Sequence, residues 1–290
     1  MATSSPVTPN KSFDNFSRVA RFLDPHLALA VVSNFVKELG IYDERSILEV
    51  EFALASKTKL ASYAVETYRT LHGDAAVPAE LLAAEAAVTT DLNERLAACG
   101  PLVAIVGLDE PTAQLAELRK DGLFRMEYMR EVHGVQEEHV EALLSAAKFR
   151  YDVGLYRPGL AYLELYEELK YPKSDDVPLD IFWGKFAASI LDNEPMWEKA
   201  DEERVSIADA IRRRPIPDIQ RLQQRAWLLH WSLFILANHP KRREALIEFF
   251  MLEENLNTVT LTCPWLLRYI IAAVLPHRKK KDYYTKALTR

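Results

Sequence analysis

Glycine is scarce in this chain, nine in 290 residues, and cysteine scarcer still, with two. Tight β-hairpins usually need glycine or Asn-Gly to reach positive φ. No Asn-Gly occurs, and the one Asp-Gly, Asp121-Gly122, lies between two helical patterns. Few glycines combined with many Ala, Leu and Glu favour helices over sheets, so the expected class is all-α. Cys99 and Cys263 lie far apart with no C-x-x-C. That excludes a cysteine-based zinc site, offers no disulfide framework and points to a reducing compartment. There is no Gly-x-Gly, Walker A, G-x-S-x-G or H-E-x-x-H. Nothing therefore prepares a phosphate cradle, an activated serine or a zinc-bound water. No catalytic residue, cofactor or metal is expected.

Long apolar runs are missing too. The longest, Ala226 to Ala237, is broken only by His230 and Ser232. As a helix it would be about 18 Å long, whereas a bilayer core of about 30 Å takes around twenty apolar residues. Gln223, Gln224 and Arg225 precede it, and Lys241, Arg242 and Arg243 follow. A helix apolar on nearly every face and too short to span belongs in a protein core. Trp227 and Trp231, with Trp183 further upstream, are the expected core markers. His230 has no carboxylate partner within 219–237, which makes it a hydrogen-bonded core histidine rather than a ligand. His133 and His139 are separated by five residues, not the i, i+4 spacing that puts two ligands on one helix face. Glu137 and Glu138 between them suit a solvated helix start.

Hydrophobic residues make up 49% and charged residues 27%, the balance of a globular protein with a substantial core. The charge is unevenly placed. Residues 1–211 carry 21 basic and 36 acidic side chains, whereas 212–290 carry 15 and 6. The basic excess gathers in three clusters: Arg212, Arg213 and Arg214; Lys241, Arg242 and Arg243; and Arg278, Lys279, Lys280 and Lys281. Clustered cations of this kind bind phosphate without sequence specificity, so RNA- or ribosome-facing patches and ordinary solvated helix ends are both open readings.

Residues 1–15 are polar and Ser/Thr/Pro-rich, lack the apolar core of a secretory signal, and are expected to form a disordered tail. Helical patterns follow, divided at Asp24-Pro25 and punctuated by Gly40, Gly73, Gly100-Pro101 and Gly122. From about residue 135 the pattern becomes regular. Helices are expected near 136–153 and 156–170, 179–192 and 195–211, and 219–237 and 240–253. The pairs start about 40 residues apart, the spacing of tetratricopeptide and HEAT-type repeats. In the first pair Leu144, Ala147 and Tyr151 make one stripe, and Tyr162, Leu165, Tyr166 and Leu169 the facing one. Gly154 sits where a left-handed cap needs no Cβ.

Six stretches carry a resemblance: "ARFLDPHLALAVVSNF" (20–35), "GIYDE" (40–44), "AKFRYDVGLYRPGLAYL" (147–163), "WGKFAASIL" (183–191), "LQQRAWLLHWSLFILANHPKRRE" (222–244) and "CPWLLRYIIAAVL" (263–275). In this order they resemble the family of E subunits of eukaryotic translation initiation factor 3, proteins of the PCI-domain class. The resemblance implies a 16–130 N-terminal helical domain and a 135–275 right-handed superhelical array of TPR/HEAT-like hairpins, the N-terminal part of a PCI module. A basic segment, 276–290, would follow. The winged helix that ends the family's module is expected to be lacking. The implied role is a non-enzymatic scaffold in 43S pre-initiation complex assembly and mRNA recruitment to the 40S ribosome. Its partners would be other initiation factor 3 subunits, with the 40S subunit and mRNA bound indirectly or weakly. Neither a membrane nor a small-molecule substrate is implied, and the location would be cytoplasmic with the nucleus as a second compartment. Two other readings stay open: a PCI subunit of the proteasome lid or COP9 signalosome, and a basic RNA-binding helical-repeat module.

Overall fold

The computed structural model describes residues 16–275 apart from 38–39, 41, 74–75, 108–111, 173–175 and 239–241. The expected 1–15 tail and 276–290 basic segment lie outside those residues. Among the described residues every regular element is helical, in keeping with the all-α expectation. Helices α1 (Phe16–Val19) and α2 (Pro25–Val31) flank a 3-10 turn, Ala20–Phe22. Then come α3 (Glu44–Ala55), α4 (Ala61–His72), α5 (Ala79–Ala98), α6 (Pro101–Val106), α7 (Ala113–Lys120) and α8 (Met126–His133). The regular region holds α9 (Glu137–Asp152), α10 (Tyr156–Lys170), α11 (Leu179–Leu191) and α12 (Trp197–Arg213). It ends with α13 (Asp218–Asn238), α14 (Arg242–Phe250), α15 (Glu253–Thr262) and α16 (Leu267–Val274).

Local chemistry explains several of these boundaries. Asp24 accepts the His26 N–H at 2.8 Å ahead of Pro25 at the first helical position, an N-cap that satisfies an otherwise orphan donor. Thr112 caps α7 by accepting from Leu115 N–H. At the start of α9 the Gln136 N–H donates to His139 Nδ1 at 3.0 Å. His139, weighed above as a metal-ligand candidate, is thus engaged in helix initiation.

The described residues pack as two compact units, cut inside α3 and α12. One comprises Phe52–Ser206; the other joins the residues up to Glu51 with those from Ile207 onward. This grouping follows different lines from a division near residue 130, because a sequence pattern shows which face of a helix is apolar but not which helix covers it. In the continuous unit α6, α7 and α8 share one core with α9 and α10, through Leu102, Ile105, Leu115, Met129, Leu143 and Tyr162. Helix α6 was not foreseen: "PLVAIV" is a short apolar run without helical period, yet Leu102, Ile105 and Val106 are all buried.

The α9–α10 hairpin forms as its sequence suggested, but α9 is rotated from the expected stripe. Its buried residues include Val140, Leu143, Ala147 and Arg150, while Leu144 and Tyr151 are only partly covered. The reason is that α9 packs on both α5 and α10, which widens and shifts its covered arc. On α10, Tyr162, Leu165, Tyr166 and Leu169 are all buried as expected. Gly159 lets the two helices approach: a Cβ there would lie 3.2 Å from the Ala147 carbonyl oxygen. Gly154 has φ +86°, and a Cβ there would lie 2.8 Å from Leu60 Cδ2, so the left-handed cap is also a packing point. Arg150 is buried with its guanidinium 4.2 Å from the Tyr162 ring centroid.

In the discontinuous unit α13 packs on α14 and α15, and α14 on α16. The apolar run forms α13 as expected, with Ala226, Leu228, Leu229, Trp231, Ile235 and Leu236 buried. Among the described residues no helix is long and apolar enough to cross a membrane.

Candidate functional site

In the discontinuous unit a set of joined side chains surrounds His230. This imidazole is fully buried, and both its nitrogens are engaged. Nδ1 donates to the Ala226 carbonyl at 2.7 Å, one turn back on α13. Nε2 then accepts from Trp265 Nε1–H at 3.1 Å. That pairing fixes a neutral imidazole, and burial drives its pKa down to about 4. The Ala226 carbonyl opposes that shift, and the Arg21 charge adds to it. Phe22 stacks on the imidazole at 4.0 Å with planes 6° apart. The next residue, Trp231, is 6% exposed and donates its Nε1–H to the Phe22 carbonyl at 3.0 Å. Arg21 closes the group, with its guanidinium 4.6 Å from the Trp265 ring centroid and 5.0 Å from that of Phe22.

Three of the six resembling stretches, 20–35, 222–244 and 263–275, therefore meet in one aromatic clamp, two of them joined by a bond that spans 209 positions of sequence. The sequence singled out His230 and Trp231, but not Arg21, Phe22 or Trp265. The available signal was the bare Arg-Phe and Pro-Trp pairs inside those quoted stretches. Of the other core markers, Trp183 and Trp227 are only partly buried. Their large rings lie at the edge of the packing, so Trp231 alone of the three is a core residue.

The basic clusters are placed unequally. Arg212, 54% exposed in its side chain, donates to Glu254 at 3.0 Å and Asp209 at 2.8 Å. The Glu254 hydrogen bond, then its charge, hold the guanidinium pKa above its ordinary value. Glu254 also takes Arg225 on its second oxygen at 3.0 Å. Arg213 lies 3.5 Å from Asp209, and Arg214 is also engaged. Behind them Arg221 donates to the main-chain carbonyls of Arg212, Arg214 and Ile216 at 3.2, 3.1 and 3.3 Å. The first two lie at the end of α12, where carbonyls lack helical donors, and the third lies in the loop that follows. Arg212 and Arg213 thus have carboxylates beside them. Lys241 and the run Arg278, Lys279, Lys280 and Lys281 lie outside the described residues, as do the side chains of Arg242 and Arg243 at the start of α14.

The continuous unit holds an ion triad centred on a buried lysine. Lys185 on α11, 6% exposed, donates to Glu167 of α10 at 2.7 Å and Glu203 of α12 at 2.8 Å. Burial pushes the ammonium pKa down, but the two carboxylates outweigh it and leave it above the ordinary lysine value. One cation thereby bridges three successive helices, and removing it would leave two carboxylates without their partner. Among the described residues no three His, Cys, Asp or Glu converge as a metal cage.

These surfaces offer packing, aromatic recognition and paired charge. Residues 14–150 match the family described as eIF3 subunit 6 N terminal domain. The chain is 30% identical over 281 residues to the E subunit of eukaryotic translation initiation factor 3 from Brugia malayi, covering 96% of this chain and 62% of that protein. It is 31% identical over 283 residues to the protein of the same name from Caenorhabditis elegans, covering 96% and 64%. The counterpart of Drosophila melanogaster is 29% identical over 272 residues, covering 93% and 61%. The chain therefore spans about three fifths of the length of the curated relatives it matches.

Proposed function

We propose, from the match of residues 14–150 to the family described as eIF3 subunit 6 N terminal domain and from the similarity to the factor's E subunits along 96% of this chain, that it is a non-enzymatic scaffold subunit of eukaryotic translation initiation factor 3. In this reading it acts in 43S pre-initiation complex assembly and in bringing mRNA to the 40S ribosome. Its direct partners are sister subunits of the factor, and it works in the cytoplasm. The observation that carries the proposal is the similarity along nearly the whole chain to proteins bearing that name. The structure supports it in kind. Several polar side chains hold helices together: buried His230 bonds Trp265, buried Lys185 bonds two glutamates, and partly buried Arg221 bonds the end of α12.

Sister subunits are met through helical surfaces, and the net charge suggests their polarity. Phe52–Ser206 carries 28 acidic and 16 basic side chains, so a basic partner surface complements it. RNA contact by 212–214 is a weaker reading, since Arg212 and Arg213 already face carboxylates. Affinity purification of the tagged full chain from its own cells tests the proposal. Initiation factor 3 subunits together with 40S proteins are expected. Proteasome-lid or signalosome subunits would select a different PCI assembly. RNA retention that falls steeply with salt and disappears when Lys279, Lys280 and Lys281 become Glu would select the RNA-binding reading.

A further inference from the structure

The turn at residues 20–22 is held by more than apolar contact. The His230 ring presents its face to the Phe22 ring, the Trp231 indole donates to the carbonyl of that same residue, and the Trp265 ring lies beneath the guanidinium one position earlier. An aromatic side chain, its own main-chain carbonyl and a preceding cation are thus read together. The carbonyl hydrogen bond sets register, because shifting the turn by one residue would leave the buried Trp231 N–H without its acceptor. The cation lies over an indole face, the strongest of the ring acceptors for it. The receiving groups are themselves prearranged: the Trp265 N–H holds the His230 ring, and Ala226 fixes its tautomer. Arg21 is exposed and Phe22 only half-buried, so the occupant lies at the rim of the unit, while His230 and Trp231 lie within it and Trp265 is partly covered.

We propose that His230, Trp231 and Trp265 form a docking slot for an Arg-aromatic turn, filled in cis by this chain's own residues 20–23, and that the docked turn straps α13 to the Pro264–Leu266 turn that opens α16. The ligand class is a short peptide carrying Arg-Phe at a helix-preceding turn. Undocking uncovers the His230 face and strands the Trp231 N–H, so the slot and the C-terminal helices loosen together. The discontinuous unit therefore closes only once residues 20–23 and the segment around Trp265 are both present.

Hydrogen exchange on the full chain carrying Phe22→Ala tests this, with α9, α10 and α11 as internal reference. Amides of 226–236 should exchange at least about tenfold faster than in the parent, with the reference helices unchanged. A chain lacking residues 1–24 should show the same loss, and a synthetic peptide of residues 16–31 added in trans should restore protection. The same peptide with Phe22→Ala should not. Parental protection in the Phe22→Ala chain would overturn the proposal. So would equal loss in the reference helices, or two peptides that behave alike, whether both restore protection or neither does.

Discussion

Acidification should weaken the discontinuous unit through one identifiable side chain. His230 is buried and neutral, with its pKa driven down to about 4 chiefly by burial. An unfolded histidine titrates near 6.5. Between those values the unfolded chain binds the proton and the folded chain does not. The stabilising difference is therefore intact above about pH 6.5, is lost as pH falls, and is exhausted once pH passes below the folded value near 4. Each pH unit inside the window is worth about 1.4 kcal/mol. From pH 7.5 to pH 5 His230 alone should remove about 2 kcal/mol, and about 3 kcal/mol in the low-pH limit. His230→Phe keeps a ring against Phe22 and removes the titration, at a cost of about 1–2 kcal/mol for the Trp265 N–H left without its acceptor. Urea unfolding followed by tryptophan fluorescence at pH 7.5, 6 and 5 measures both terms. The parent should lose about 2 kcal/mol more than the variant over that interval. Parallel pH profiles for the two proteins would refute the buried, neutral assignment.

Trp231→Asp should prevent the discontinuous unit from folding, because it buries an unpaired charge and removes the bond to Phe22; a parental melting curve would contradict this. Lys185→Ala should cost about 3–5 kcal/mol in urea denaturation by leaving Glu167 and Glu203 facing each other without their cation. The combined Lys185→Met, Glu167→Gln, Glu203→Leu chain should recover most of that loss, and no recovery would mean that packing rather than charge dominates the site. Gly154→Ala should destabilise by about 1–2 kcal/mol, from its positive φ and the close Leu60 methyl. Leu60→Ala in the same chain should relieve only the steric part.

Helix existence was legible because its determinants are local. The 3.6-residue stripe of Tyr162, Leu165, Tyr166 and Leu169, the Asp24-Pro25 start and the Gly154 stop all lie within a few residues of the helices they shape. Two kinds of feature were not. A six-residue run such as "PLVAIV" is too short to show a period, so only its burial among neighbours makes it a helix. Partnership over long sequence distances leaves no local trace either. His230 was legible as a core residue satisfied by hydrogen bonds, yet its partners come from residues 22 and 265. Likewise Lys185 sits in "WGKFAASIL" as the one cation of an apolar helix, and only the fold reveals the glutamates on two other helices that let it be buried. The basic triplet 212–214 reads in sequence as a cationic run, and only the fold reveals that Asp209 and Glu254 stand beside it.

The central claim, that this chain is a scaffold subunit of initiation factor 3, is tested most directly by native mass spectrometry of the assembly captured on the tagged full chain from its own cells. The account predicts one copy of the chain in a stable complex with initiation factor 3 subunits. A chain recovered alone, or within a proteasome-lid or signalosome particle, would contradict it.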